Sequence, residues 1–285
     1  RTQMKHLAII ALCAVTAARL LAAGEITLRT CEGSVKSDFY TLGVDVEWNI
    51  EWPEEITGVK PKVLKRIQYG INLEAFVCPF VADLDSIKPP PFYDRPDVAQ
   101  KHLFEAVLGK INEKEDSHTA RALSYCCTLK ICLATEGYLG YHIDGYHNEG
   151  GCGCHSFAQN SIFSLNSGKL ILEHDLLNTN KYTALRTLIF DKATKETDAA
   201  LIPPEAYAYR DVMTKPLFDN GNFMIETGGF RWYIPPYNLF CGAAGVVDTL
   251  VPWDDLKPFF IDPAYCDALK NIAATARTII RQKED

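Results

Sequence analysis

Beyond its first 23 residues, this 285-residue sequence has no apolar run of the roughly 20 residues that a membrane-crossing helix requires. It also lacks internal repeats and long low-complexity tracts. That leaves an ordinary globular chain, 47% hydrophobic and 23% charged, with enough residues to bury one large core or two modest ones. No Gly-x-Ser-x-Gly elbow, no phosphate-binding glycine loop ending in Lys-Ser/Thr and no His-Glu-x-x-His stretch occurs, so the common motif-borne hydrolytic and nucleotide chemistries have no anchor and no catalytic residue is assigned. An excess of positive charge is missing as well, with 29 Lys and Arg against 36 Asp and Glu. Nucleic acid is therefore a poor partner, because it rewards basic surfaces through phosphate neutralisation and counterion release.

What the first 23 residues contain is a leader pattern. Arg1, Lys5 and His6 precede the apolar run Leu7 to Val15, and small residues follow at Ala22-Ala23-Gly24, the basic, apolar, small order of an export signal. A short buried helix is the alternative, since Arg19 interrupts the run. Cys13 raises lipid anchoring, although the bulky Leu12 before it suits that poorly. The expected location is periplasmic or extracellular. Removing residues 1–23 takes away Arg1, Lys5 and Arg19 and no acid, which leaves 26 basic against 36 acidic residues and a net charge of −10. Such a surface attracts a cationic partner. Nine of the ten cysteines lie beyond the leader, and an oxidising compartment permits disulfides among them, with at least one thiol left over.

Hydrophobic periodicity outlines the body. Val44, Val46, Trp48, Ile50 and Trp52 alternate with polar residues as a strand does, and Pro53 is read as its end. Val63, Ile67 and Ile71, widened by Leu64, Ala75 and Phe76, have helical spacing. The proline-rich residues 88–96 read as a connector, and Asp97 caps a second helix through Ile111. In the strand from Leu123 to Leu133, Tyr125, Cys127, Leu129 and Ile131 share one face while Cys126, Thr128, Lys130 and Cys132 share the other. Cys126 and Cys132 lie about 20 Å apart along it and cannot bond each other. A strand follows at Ser161 to Leu165, then a helix with the stripe Tyr182, Leu185, Leu188 and Ile189, then a polar excursion over residues 191–218. Strands at Asn222 to Glu226 and Phe230 to Ile234 flank the turn Thr227-Gly228-Gly229, and a third runs from Gly245 to Val251. Asp262-Pro263 opens a last helix, read as continuing through Leu269, Ile272, Ile279 and Ile280.

Two stretches carry candidate chemistry. His142, Asp144, His147, Glu149, Cys152, Cys154 and His155 fall within 14 residues, and imidazole with thiolate is what zinc or copper takes. The spacing fits no standard structural zinc pattern, so a glycine-rich turn in which Cys152 or Cys154 pairs with Cys126 or Cys132 across adjacent strands is the simpler reading, with no metal or other cofactor. The second stretch is the loop between two strands that presents Pro235, Pro236, Tyr237, Leu239 and Phe240, aromatic and apolar groups on proline-set backbone. These are the candidate binding residues, because loops mounted on a sheet carry recognition. Their alternative role is to fold back and close the core.

GGCGCHS at 150–156, SLNSGKLILEHDLL at 164–177 and NFMIETGGFRWYIPPYNLFCGAAGVVDTLVPWDDLKPFF at 222–260 together resemble the family of the domain of unknown function 3298, known from the extracellular part of the RsiV-like anti-sigma factors. The resemblance covers residues ~150–260. It is most specific where Pro235, Tyr237, Ala243-Ala244-Gly245, Val251-Pro252 and Leu256-Lys257 match, and looser at the glycine-rich turn, where CGCH stands for the usual AHG. It implies an extracytoplasmic α+β domain and, in the RsiV-like branch, lysozyme binding. No sigma-binding segment or deacetylase metal motif of other relatives is present.

The expectation is an α+β fold, a mainly antiparallel sheet with helices packed on one face and two portions in one compact body. Residues 1–23 form the leader, 24–135 an N-terminal portion, 136–262 the family-like domain and 263–285 a C-terminal helix. Functionally, this is an envelope binding protein without catalysis, its partner a basic protein such as lysozyme or a peptidoglycan fragment. A metal-dependent wall-modifying enzyme and a purely structural envelope module are the alternatives.

Overall fold

A computed structural model of the chain describes residues 24–37, 44–75, 123–148, 154–202, 222–234, 247–275 and 277–282. The leader-like segment, the connector at 88–96 and the helix expected from Asp97 lie outside these residues. The architecture is α+β with two sheets. The larger has six strands in the order β5-β4-β3-β2-β1-β9, and the smaller has three in the order β6-β7-β8.

In the large sheet, β1 (Glu25–Ser37) pairs antiparallel with β2 (Val44–Ile56), and β3 (Leu123–Ala134), β4 (Tyr138–Asn148) and β5 (Cys154–Ser164) form an antiparallel meander. The alternation read in β3 holds: Tyr125, Cys127, Leu129 and Ile131 are buried on one face. β2 and β3 run parallel, which requires a long crossover, and helix α1 (Pro61–Ala75) lies within it. α1 covers the core face of the sheet with Ile67 and Ile71, both fully buried in the same cluster as Trp52, Leu129 and Tyr141. Burial of each isoleucine contributes about 1.5–3 kcal/mol.

Two boundaries differ from the sequence reading. β2 does not stop at Pro53 but continues to Ile56, because its pairing with β3 ends at Ile50. Past that point the missing proline N–H costs no β2–β3 ladder bond. The last helix, α5 (Pro263–Ala273), ends seven residues before Ile280, and Ile279 and Ile280 belong to a parallel edge strand, β9 (Thr278–Gln282), beside β1. A Thr-Ile-Ile run favours extended backbone, and the open side of β1 supplies its hydrogen-bond partners. Arg277 pins the crossing, donating from Nε to the Thr135 carbonyl at 2.6 Å and from Nη1 to that of Thr57 at 2.9 Å.

After β5 the chain forms the short helix α2 (Glu173–Leu176) and then α3 (Tyr182–Glu196), which extends into the stretch read as an excursion and buries Phe190 and Ala193. The hairpin β6 (Phe223–Glu226) and β7 (Gly229–Ile234) is followed by β8 (Val247–Pro252) and the helical turn α4 (Trp253–Leu256). One face of this small sheet, α3 and α5 enclose a second core. At its centre Phe230 packs on Phe223, Trp253 and Phe260 at ring distances of 5.1, 5.3 and 5.7 Å. Trp232 is fully buried there and donates from Nε1 to the buried Glu173 carboxylate at 2.6 Å.

Candidate functional site

The other face of the small sheet meets the large sheet at the end where β3, β4 and β5 lie, and the seam between them is built from side chains. Asn222, immediately before β6, aims its Oδ1 at the edge of β5, accepting from Asn160 N at 2.9 Å and from Asn160 Nδ2 at 3.3 Å. Its own Nδ2 donates to the Ala158 carbonyl at 3.2 Å. One asparagine thus serves two backbone groups of β5 that no further strand reaches. The Asn160 amide is thereby oriented, with Oδ1 facing His142 Nδ1 at 3.0 Å. An acceptor at that position places the proton on Nδ1 of the neutral ring. The His142 ring in turn packs on Tyr233 of β7, centroids 4.9 Å apart. A few residues along, Met224 of β6 lies against Gly140 of β4, where a Cβ would come within 2.6 Å of the sulfur. Glycine at 140 is what lets the two sheets approach so closely.

Between these contacts is an open wedge of about 370 Å³, lined by Cys132, Leu133, Asn160, Met224, Glu226 and Tyr233 among others. The carboxylate among its described lining residues is not free, because Arg231 donates to Glu226 at 2.7 Å and to Asp248 at 2.6 Å. Those bonds, Glu226 foremost, hold the guanidinium above its ordinary pKa. Burial, with Asp248 next, pushes the Tyr233 hydroxyl up, so at neutral pH it is an uncharged donor and acceptor. Burial also raises the Cys132 thiol, which favours its protonated form.

The alternative metal cluster is not assembled among the described residues. His142 Nε2 lies 3.9 Å from Asp144 Oδ1, but among the described residues no three potential ligands come together. His142 and His147 are five residues apart along β4, about 16 Å, too far to share one ion. Cys154 sits opposite Asn148 and His155 opposite His147, both further still from His142. Glu149 and Cys152 lie outside the described residues. The disulfide reading is corrected, since Cys126 and Cys132 carry free thiols, as do Cys127 and Cys266. β3 and β5 are not adjacent; β4 runs between them, which separates Cys126 from Cys154 by two strand spacings, about 9.5 Å. A disulfide tolerates no more than about 7 Å between Cα atoms.

The binding loop with Pro235, Pro236, Tyr237, Leu239 and Phe240 lies outside the described residues. Its two ends do not: Ile234 and Val247 are register partners at the end of the β7–β8 ladder, one residue from Tyr233. Its flanking residues thus sit next to Tyr233, which lines the wedge. Asn160, Asn222, Tyr233 and Met224 were not singled out by the sequence. The available signal was an asparagine inside the apolar strand FAQNSIF and another just before FMIE, polar residues where a strand turns its side chain inward.

The chain matches no protein-family model and no curated protein. Its fold matches solved structures. A member of the DUF3298 family from Bacteroides fragilis superimposes with a TM-score of 0.63 at 15% identity, over 88% of this chain and 100% of that one. A DUF3298 family protein from Pseudomonas aeruginosa PAO1 gives a TM-score of 0.52 at 9% identity, over 84% and 95% of the two chains.

Proposed function

We propose that this chain, which has the fold of the DUF3298 proteins, is an extracytoplasmic recognition module that holds its partner non-covalently in the wedge between its two sheets. The observation that carries this reading is the seam. Asn222, Asn160, His142 and Tyr233 hold one another in fixed, mutually satisfied positions, so little side-chain freedom is lost when a partner engages them. The loop with Pro235, Pro236, Tyr237, Leu239 and Phe240 is the second candidate contact, because its flanking residues Ile234 and Val247 end the β7–β8 ladder beside Tyr233. Export is supported by the leader pattern of residues 1–23, and among the described residues no helix is long and apolar enough to cross a membrane. The acidic balance favours a basic protein such as lysozyme as the macromolecular partner, and a peptidoglycan fragment is the alternative.

The test is retention of the chain on lysozyme at low and moderate salt and on purified peptidoglycan, followed by hydrogen exchange of the bound form. Protection is expected at residues 132–133, 160, 222–228 and 233. Retention with protection confined to another surface, or no retention on either, refutes the reading. Tyr237→Ala is expected to weaken retention while leaving the melting temperature nearly unchanged; a large drop in melting temperature assigns that ring to the core instead.

A further inference from the structure

Taking the wedge as the recognition site, we infer that its ligand is an uncharged pyranose residue, the exposed ring of a neutral oligosaccharide. Among the described residues, the wedge lining holds no free charge to reward an ion. Glu226 is committed to Arg231, and the Tyr233 phenol and the Cys132 thiol are both held protonated. An anion would meet Glu226 with no lining cation to offset it, and a cation would have to compete with a guanidinium already in place. What remains is a mixed lining. Tyr233 and Thr227 offer neutral hydrogen-bonding groups on one side, and Leu133, Met224 and Ala273 offer apolar surface on the other. A pyranose has that same division, with hydroxyls around its edge and C–H groups on its faces, whereas a purely apolar ligand would cover the Tyr233 hydroxyl without giving it a partner.

Shape narrows the class further. The two sheets touch through Met224 on Gly140 and through His142 on Tyr233, so the space between is short and closed along two contacts. An extended peptide needs a long groove or an open strand edge, and on the large-sheet side the wall is β3, paired on both edges, and Asn160 of the edge strand β5, whose backbone N–H is already taken by Asn222. A single ring needs neither, and about 370 Å³ is at the small end of ligand pockets.

The experiment is titration of the full chain with chitotriose, cellotriose and maltotriose, alongside a cationic glucosamine trimer and an anionic galacturonate trimer. Residues 132, 160 and 233 are followed by heteronuclear NMR, and the rate of Cys132 labelling by a maleimide provides a second readout. Saturable shifts at these positions with at least one neutral trimer, slower labelling, and binding by the charged trimers at least tenfold weaker are expected. Tyr233→Phe keeps the ring on His142 and removes the hydroxyl, so it is expected to weaken the neutral trimer five- to tenfold at an unchanged melting temperature. If no neutral trimer shifts these residues while lysozyme or a peptide does, the sugar assignment fails and the recognition site stands. If a trimer binds equally well with Tyr233→Phe and shifts residues elsewhere, the wedge is not the sugar site. If nothing perturbs the wedge under any condition, both inferences fall together.

Discussion

Asn222→Ala is expected to loosen the seam more than its size suggests. The side chain makes three hydrogen bonds, to Asn160 N, Asn160 Nδ2 and the Ala158 carbonyl, and both asparagines are buried, Asn222 at 8% exposure and Asn160 at 1%. Truncation leaves one backbone N–H and one backbone C=O on the edge of β5 without partners, at about 1–3 kcal/mol for each group that water cannot reach. A loss of about 2–6 kcal/mol follows, a large share of the roughly 5–15 kcal/mol by which a domain is stable. Urea unfolding at pH 7 measures it, and the imidazole nitrogen shifts of His142 report locally, because Asn160 no longer fixes the tautomer. A loss below about 1 kcal/mol would refute the reasoning, since it would mean that solvent already serves the β5 edge.

Asn222→Asp sharpens the same test. The acid keeps an acceptor but donates to the Ala158 carbonyl only while protonated, and it is buried, so its folded pKa is raised above the unfolded value near 3.9. Folding then binds the proton. Relative to wild type at the same pH, the variant is least destabilised below about pH 4 and loses stability as the pH climbs through the raised folded value. A pH-independent difference between the two proteins would argue against a donor requirement at this position.

Three further outcomes test the rest of the architecture. Gly145→Ala places a Cβ 2.0 Å from the Cys126 carbonyl oxygen and 2.8 Å from the Phe157 ring, so a loss above about 2 kcal/mol is expected in thermal or urea unfolding; a neutral result would mean that β3 and β4 are further apart than described. Burial lifts the Cys127 thiol to about 12 against an ordinary 9.0, so the stability it contributes is whole below pH 9 and disappears as the pH rises toward 12. Unfolding followed from pH 8 to 11 is expected to show that fall in wild type and less of it in Cys127→Ala. Arg281→Ala removes the 2.6 Å bond from Nε to the buried Glu51 and is expected to speed hydrogen exchange along β1 and β9 before any other part of the large sheet; unchanged exchange there would show that β9 is held by its ladder alone.

The strand Leu123 to Ala134 and the hairpin at Thr227-Gly228 were legible because their patterns are local and unambiguous: period-2 alternation in one case, a tight glycine turn between apolar runs in the other. β1 was not. Its buried residues Ile26, Leu28 and Cys31 are unevenly spaced, and its register with β2 shifts between Thr27 and Leu28, so no single period describes it. β9 was absorbed into the preceding helix because Ile279 and Ile280 fit a stripe begun by Leu269 and Ile272 if the break at Thr275 is overlooked. The histidine and cysteine stretch shows the limit of proximity along the chain. A strand spreads neighbours by about 3.3 Å each, so His142 on β4 and Cys154 on β5, which pairs with Asn148, are set apart despite lying twelve residues from each other.

The wedge itself could not be read from the sequence, because every contact that makes it joins residues far apart along the chain: Asn160 to Asn222, His142 to Tyr233, Gly140 to Met224. That distance also bears on how the site works. Within each sheet the strands are held by backbone ladders, which fix their relative positions closely, but at this seam β5 and the approach to β6 are joined by the side chain of Asn222 rather than by a ladder. A side-chain seam holds by a few contacts and so can be retuned by single substitutions, where a ladder would have to be rebuilt. The small sheet carries Tyr233, Met224, Glu226 and both ends of the 235–246 loop, so any change in its angle to the large sheet shifts all of them together relative to Asn160 and Cys132. Substitutions at Asn222 or Gly140, which do not depend on touching a ligand, are therefore expected to change affinity at the wedge as much as substitutions in its lining. An affinity indifferent to Gly140→Ala, with the fold intact, would show that the two sheets do not act together in recognition.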